Sequence, residues 1–162
     1  MKHVIICDID GTIADVRHRL HYIQNEDGSK KKKPDWDAFH AACVDDTPFL
    51  DVIRVVDALR MGTCGCGYGR LGLYFLSGRN DVVRPQTERW LEDVGDFGHY
   101  AGLVMRKAGD RRPDTEIKLE MIRELGLTPH DVLCLFDDRQ CVVDMWRANG
   151  YRVMQVAAWK EQ

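Results

Sequence analysis

Short apolar runs alternate with amphipathic stretches along most of the chain. Val4–Cys7, Leu71–Leu76, Gly102–Met105 and Val132–Phe136 are short apolar segments of strand length, and Tyr151–Val156 is a fifth run, interrupted by Arg152 and Gln155. Such runs mark strands buried on both faces of a parallel sheet. Between them, apolar residues recur at helical spacing. Phe49–Met61 places Val52, Val55, Val56 and Leu59 on one side after a Thr47-Pro48 start signal. Pro85–Val94 opens on a proline suited to the first turn and stops before Gly95. Pro113–Leu125 carries Ile117, Met121, Ile122 and Leu125, and Gln140–Asn149 carries Val142, Val143 and Trp146 before Gly150. Strand and helix in alternation predict an α/β fold, a doubly wound and mainly parallel five-stranded sheet.

Residues 20–47 break the alternation. Asn25–Pro34 is polar and basic around an Asp27-Gly28-Ser29 turn, and Asp35–Cys43 has room for one short helix with Trp36, Phe39 and His40 on a face. The segment reads as a small cap-like insertion after the first strand, lying over the sheet edge where ligands bind, within one domain spanning 1–162.

Composition narrows the class. With 162 residues, 44% hydrophobic and 30% charged, the chain is long enough to bury a core and is neither disordered nor collagenous. Net charge is −3, so contact with nucleic acid would have to come from a local basic patch. No apolar run approaches the roughly 20 residues of a membrane span, and the apolar residues after Met1 are too few for a secretory leader. Cys7 and Cys134 lie inside strand-like runs and are expected as buried thiols in a reducing cytoplasm. Cys64 and Cys66 form a close pair, but without a second pair they read as part of a Gly-rich loop rather than a zinc site.

The candidate chemistry sits at the strand ends. In open parallel sheets, ligands bind beyond the carboxyl ends of the strands. Asp8-Ile9-Asp10-Gly11-Thr12, Ser77-Gly78-Arg79 and Asp137-Asp138 each close an apolar run, and Lys118 lies in the first turns of a helix whose N-terminus faces the same edge. Alone, each piece is commonplace: a turn, a helix cap, a solvated lysine. Together, the carboxylates need a cation, because unit charges ~4 Å apart repel by ~4 kcal/mol at an effective dielectric near 20. Oxygen ligands with open positions suit Mg²⁺. Ser77, Arg79, Lys118 and the amides around Gly11 supply donors for a phosphate dianion. The set reads as a phosphoryl-transfer site. Asp8 is the expected nucleophile. Asp10 is the expected proton donor and then base, carrying a proton at neutral pH by virtue of acidic neighbours. Lys118 offsets charge on the nucleophile and phosphoryl oxygens.

These residues resemble the motifs of the haloacid dehalogenase-like phosphohydrolase superfamily: Asp8–Thr12 the first, Ser77 the second, Lys118 the third and Asp137-Asp138 the fourth. The resemblance implies Mg²⁺ held by Asp8, the Asp10 carbonyl and the acidic pair Asp137 and Asp138. The chain is further similar to the 3′-phosphatase domains of phage polynucleotide kinase/phosphatases, through Arg19, Ser77-Gly78-Arg79, Asp110-Arg111-Arg112-Pro113-Asp114 with Lys118, and Asp137–Arg147. That likeness implies that Arg19 and Arg79 hold the phosphate or its neighbour, beside the candidate phosphate-binding residues Gly11, Thr12, Ser77 and Gly78. It implies that Asp114 orients a basic residue, with Arg19 and Arg79 as candidates. No Gly-x-x-x-x-Gly-Lys-Ser/Thr occurs, so a kinase or ligase partner would be a separate chain.

Lys30–Lys33 offers either a solvated loop or contact with a nucleic-acid backbone, and Trp36, Phe39 and Tyr22 either core packing or base stacking. His18 and His21 read as structural or solvated. The leading expectation is removal of 3′-phosphates from polynucleotide ends. The near rival is a nucleotidase acting on free mononucleotides, and a phospho-accepting signalling domain is a distant third.

Overall fold

The β-branched run at the start of the chain becomes the centre of the sheet. The computed structural model of the chain describes residues 3–62 and 71–159, so the expectation for Cys64 and Cys66 lies outside the described residues. Five strands form the main sheet: β1 (Val4–Cys7), β4 (Gly72–Asn80), β5 (Gly102–Arg106), β6 (Val132–Arg139) and β7 (Val153–Trp159). Their order is β5-β4-β1-β6-β7, and every pairing is parallel. Four helices flank it: α2 (Leu50–Met61), α3 (Arg84–Asp93), α4 (Asp114–Glu124) and α5 (Gln140–Ala148).

The two-residue period of a strand sorts the core. Ile5 and Cys7 of β1 point to one face, where they pack with Ile53 and Val56 of α2 and Trp90 and Leu91 of α3. Val4 and Ile6 point to the other, against Ile117, Met121 and Ile122 of α4 and Val142 and Trp146 of α5. Every residue of β1 is buried, which is why its sequence shows a run and no alternation. Cys7 and Cys134 are buried free thiols, as expected. No helix among the described residues is long and apolar enough to cross a membrane.

The expected helices appear with ends shifted by about a residue. The strands differ more. Leu71–Leu76 and Val132–Phe136 were expected to stop at their polar motifs, yet β4 runs on through Ser77-Gly78-Arg79 and β6 through Asp137-Asp138. Ladder bonds are made by backbone, so polar side chains need not end them. Where the motifs pass, the ladders shift register instead, between Ser77 and Asn80 on β4 and between Asp137 and Arg139 on β6.

Between β1 and α2 the chain makes an excursion. It leaves through β2 (Ala14–Asp15) and returns through β3 (Thr47–Pro48), and these short strands pair antiparallel. Between them lie a 3₁₀ helix (Arg17–Tyr22), a turn around Gly28, the short helix α1 (Trp36–Ala41) and a second 3₁₀ turn (Ala42–Asp45). Asp35 caps α1 by accepting from the Ala38 amide at 2.9 Å.

Because Ile6 is wholly buried between α4 and α5, Ile6→Ala should cost about 2–5 kcal/mol of stability. Urea unfolding of the two proteins gives the difference. A loss below about 1 kcal/mol would mean the central strand is not the packed element described.

Candidate active site

The loop after β1 is rigid before any ligand is considered. The Ile9 carbonyl accepts from the amides of Thr12, Ile13 and Ala14, and Gly11 donates back to the Ala14 carbonyl at 2.8 Å. Gly11 sits at φ 82°, a conformation that disfavours side chains bearing a Cβ. Ile9 and Ile13 are buried and anchor this turn in the core. Asp8 is therefore presented from a fixed backbone, its own amide bonded to the Phe136 carbonyl at 3.0 Å.

Three carboxylates meet there. Asp8, Asp137 and Asp138 are all buried and offer oxygens within 4.8 Å of one another. Lys118, reaching back from α4, bridges Asp8 Oδ1 and Asp137 Oδ2 at 2.8 Å each. Trp146 Nε1 also donates to Asp137 Oδ2, at 3.4 Å. The Thr12 hydroxyl lies 3.3 Å from Asp8 Oδ2 and 3.4 Å from Asp138 Oδ1. Burial opposes charge on Lys118, but Asp137 and Asp8 outweigh it and hold the ammonium well above its ordinary value. Burial pushes Asp8 well above the carboxylate range, against Lys118, with Asp137 and Asp138 adding to the rise. Burial and the Asp137 charge push Asp138 up to about 7. One lysine leaves this pocket short of positive charge. A divalent cation with oxygen preference fits the donor set of Asp8, Asp137 and Asp138.

Asp10 has different neighbours from those expected. Its carboxylate accepts from Arg19 Nη2 and Arg79 Nε, both at 2.7 Å. Burial raises its pKa, but Arg79 and Arg19 prevail and lower it to about 2. The expectation that acidic neighbours keep it protonated is therefore corrected: Asp10 is an ion, because its side chain is paired with Arg19 from the excursion and Arg79 from β4.

That pairing depends on Asp46, which no sequence motif marks. Asp46 is buried beside β3 and accepts from Arg19 Nε at 2.7 Å, Arg19 Nη2 at 2.8 Å, Arg79 Nη2 at 2.5 Å and His18 Nε2 at 2.9 Å. Its backbone carbonyl also takes the Trp90 indole N–H at 2.8 Å. Two fully buried guanidinium groups are thus paired with two carboxylates. Both arginines face Asp10, and His18 contacts Asp46 on the other side of the pair. Asp46 was legible only as one more acid before a Thr-Pro helix signal.

The partner of Asp114 is also corrected. It binds neither Arg19 nor Arg79. Its two oxygens take Arg106 Nη2 and Arg139 Nη1, because α4 begins beside the ends of β5 and β6. Arg106 is held further by the carbonyls of Gly78, Asp110 and Arg112 at 3.0, 3.1 and 2.8 Å. A Cβ at Gly78 would lie 3.0 Å from Asp114 Oδ1, so any side chain there would press this carboxylate aside by a few tenths of an ångström. Ser77 is fully buried and its hydroxyl accepts from the Arg79 amide at 3.2 Å.

The model of the polynucleotide kinase PNKP phosphatase domain family matches residues 2–159. A relative from Autographa californica nuclear polyhedrosis virus, assigned as a bifunctional polynucleotide kinase/RNA ligase, is 30% identical over 143 residues. The match covers 88% of this chain and 17% of that relative. Among solved structures, a chain of the Pnkp1/Rnl/Hen1 RNA repair complex superposes with TM-score 0.74 at 27% identity, covering 99% of this chain and 44% of that one. A haloacid dehalogenase-like hydrolase from Streptococcus pneumoniae shares the fold at TM-score 0.62 and 12% identity, covering 97% and 87%. The chain therefore spans less than half the length of the kinase/ligase and repair-complex relatives.

Two outcomes follow from the charges. Asp46→Ala strands Arg19 and Arg79 in a dry pocket and should cost about 3–5 kcal/mol, read by chemical denaturation; a loss under about 1 kcal/mol would show the pair to be solvated. In metal-free protein, Asp138 keeps its proton to about pH 7, whereas an unfolded aspartate releases it near 4. Between those values the folded state binds more protons, so stability falls as pH rises. Thermal melts in EDTA should show Tm dropping from about pH 5 to about 7.5, with Mg²⁺ restoring it most at the upper end. A rise in Tm over that range would contradict the assignment.

Proposed function

The chain belongs to the polynucleotide kinase PNKP phosphatase domain family, within the haloacid dehalogenase-like phosphatases, and we propose that it removes 3′-phosphates from polynucleotide ends with Mg²⁺. The observation that carries the chemistry is the burial of Asp8, Asp137 and Asp138 around one lysine. The polynucleotide substrate is supported by the family and by relatives named as a polynucleotide kinase/RNA ligase and as a chain of an RNA repair complex. On the same grounds a kinase or ligase partner is proposed, and the sheet, helices and excursion are proposed to act as one domain.

Asp8, Asp137, Asp138 and the Asp10 carbonyl would hold the Mg²⁺, which supplies positive charge to phosphoryl oxygens when bound. Asp8 attacks phosphorus: an Oδ–P bond forms and the bond from phosphorus to the ribose oxygen breaks. Asp10 gives the leaving oxygen a proton. In the second half a water attacks, the Asp8–phosphorus bond breaks and Asp10 takes the water's proton. Lys118 keeps Asp8 oriented and limits charge build-up. Ser77, Thr12 and the Gly11 and Gly78 backbone border the phosphoryl position.

The arginine clamp gives the acid a route to its proton. Arg19 and Arg79 hold Asp10 ionised in the free protein. A phosphate dianion entering between them competes for the same guanidinium groups. Each hydrogen bond drawn off Asp10 raises its pKa toward the working range. The proton is then available when the substrate is in place. Arg106 and Arg139, fixed by Asp114, stand at the neighbouring strand ends and extend the positive rim.

A substrate panel tests the reading. The protein should release phosphate from a 3′-phosphorylated oligonucleotide with Mg²⁺ and not with EDTA, and favour it over 5′-phosphorylated ends and free mononucleotides. Brisk turnover of mononucleotides with none on oligonucleotides would replace it by the nucleotidase reading. Asp8→Asn should abolish turnover, and Asp10→Asn should lower kcat about 10²–10⁴-fold while Mg²⁺ still raises Tm. Near-normal turnover by Asp8→Asn would remove the covalent step.

A further inference from the structure

The excursion carries an aromatic and basic face that the chemistry above leaves unused. Trp36 opens α1 with 51% of its surface exposed. Its ring meets Phe39 edge-on at 5.7 Å and lies tilted against His40 at 6.1 Å. Phe39 is buried and carries the Arg19 guanidinium 4.2 Å above its ring. Arg19 in turn holds Asp10. A chain of direct contacts therefore fixes the indole relative to the proposed acid.

His40, packed against Trp36 and Phe39, lies within range of the site's charges. It is half-buried, and the charges of Asp10, Arg19, Arg79 and Arg106 all act on its ring. Burial and the three arginines keep the imidazole below its ordinary pKa, against Asp10. A neutral ring there adds aromatic surface without adding charge.

The lysine run is tied down beside it. Lys31 donates its amide to the Ile23 carbonyl and Asp35 donates to the Tyr22 carbonyl, both at 3.0 Å. Lys31 Nζ reaches the His21 carbonyl at 2.5 Å. Lys30, Lys32 and Lys33 stay exposed. These cations are thus held against the 3₁₀ helix that carries Arg19. Neighbouring like charges on an ordered strip repel one another and attract a polyanion. Core packing accounts for only the half of the indole turned toward Phe39 and His40, and leaves the other half open to a flat partner.

We propose that Trp36 and Lys30–Lys33 form a binding site for the strand leading to the reacting end, a base stacking on the indole and the lysines meeting phosphodiesters upstream. The proposal rests on the polynucleotide reading and extends it. A mononucleotide offers no upstream base and no phosphodiester, so this face selects for chain length. Aromatic stacking tolerates any base, because every base has a π-face, so the selection is for a strand and not for a sequence.

The test compares kcat/KM for a 3′-phosphorylated hexanucleotide with that for p-nitrophenyl phosphate, using the full chain. In Trp36→Ala the ratio of the two should fall about tenfold or more, and Trp36→Phe should recover most of it. Changing all four lysines to Gln should flatten the salt dependence on the oligonucleotide, by roughly 0.7 in the log–log slope for each phosphodiester the lysines no longer neutralise. In an Asp8→Asn background, the oligonucleotide should quench tryptophan fluorescence, and Trp36→Ala should remove most of that quench. Equal loss on both substrates would make Trp36 merely structural and overturn the proposal. So would an unchanged ratio together with an unchanged salt slope. If the parent protein prefers oligonucleotides yet neither variant alters that preference, this site fails while the polynucleotide reading stands. If the parent shows no preference, both fail.

Discussion

Carboxylates brought together without water repel, and the parallel sheet gives Asp8, Asp137 and Asp138 no means of moving apart. Two of them end up on adjacent strands because β1 pairs with β6, so that Cys7 lies opposite Phe136 and each strand's next residue is an acid. Lys118 is the one cation that reaches into the cluster among the described residues, and it does so from α4 across the sheet edge. The local charge remains negative, which is why burial drives protons onto Asp8 and Asp138 in the absence of a metal. The fold thus stores an electrostatic deficit at the point where a dication would relieve it.

A second charge cluster solves the opposite problem. Arg19 and Arg79 are fully buried and would be untenable without Asp46 and Asp10. Arg79 comes from the sheet and Arg19 from the excursion, so the quartet joins the two parts. It also fixes the orientation of Asp10, whose carboxylate both arginines hold. The two clusters sit on either side of one tight turn, Ile9 to Ala14, whose three amides share a single carbonyl.

Much of this was legible because the relevant residues stand directly after apolar runs. A buried strand followed at once by an acid, a serine or an acidic pair announces both the sheet and the edge at which its chemistry lies. The parts that were not legible are those set by partners far away in sequence. Asp46 has no local pattern, and its importance comes from guanidinium groups contributed by residues 19 and 79. The same is true of Asp114: its position in a first helical turn suits any acid, and only the approach of β5 and β6 picks Arg106 and Arg139. The protonation of Asp10 was misread for this reason, since neighbours along the chain stood in for neighbours in space. The polar ends of β4 and β6 were missed because side-chain polarity says little about whether backbone ladders continue.

The clip between β2 and β3 has a further consequence. It brings Ala14 beside Pro48 and Asp15 beside Thr47, so the intervening loop departs and returns through a single doorway. Lengthening such a loop costs only slowly growing closure entropy, and none of the five main strands need shift to absorb it. Surface identity and reaction chemistry are thereby free to diversify at different rates, provided that any replacement segment still delivers one arginine and one aspartate to the threshold.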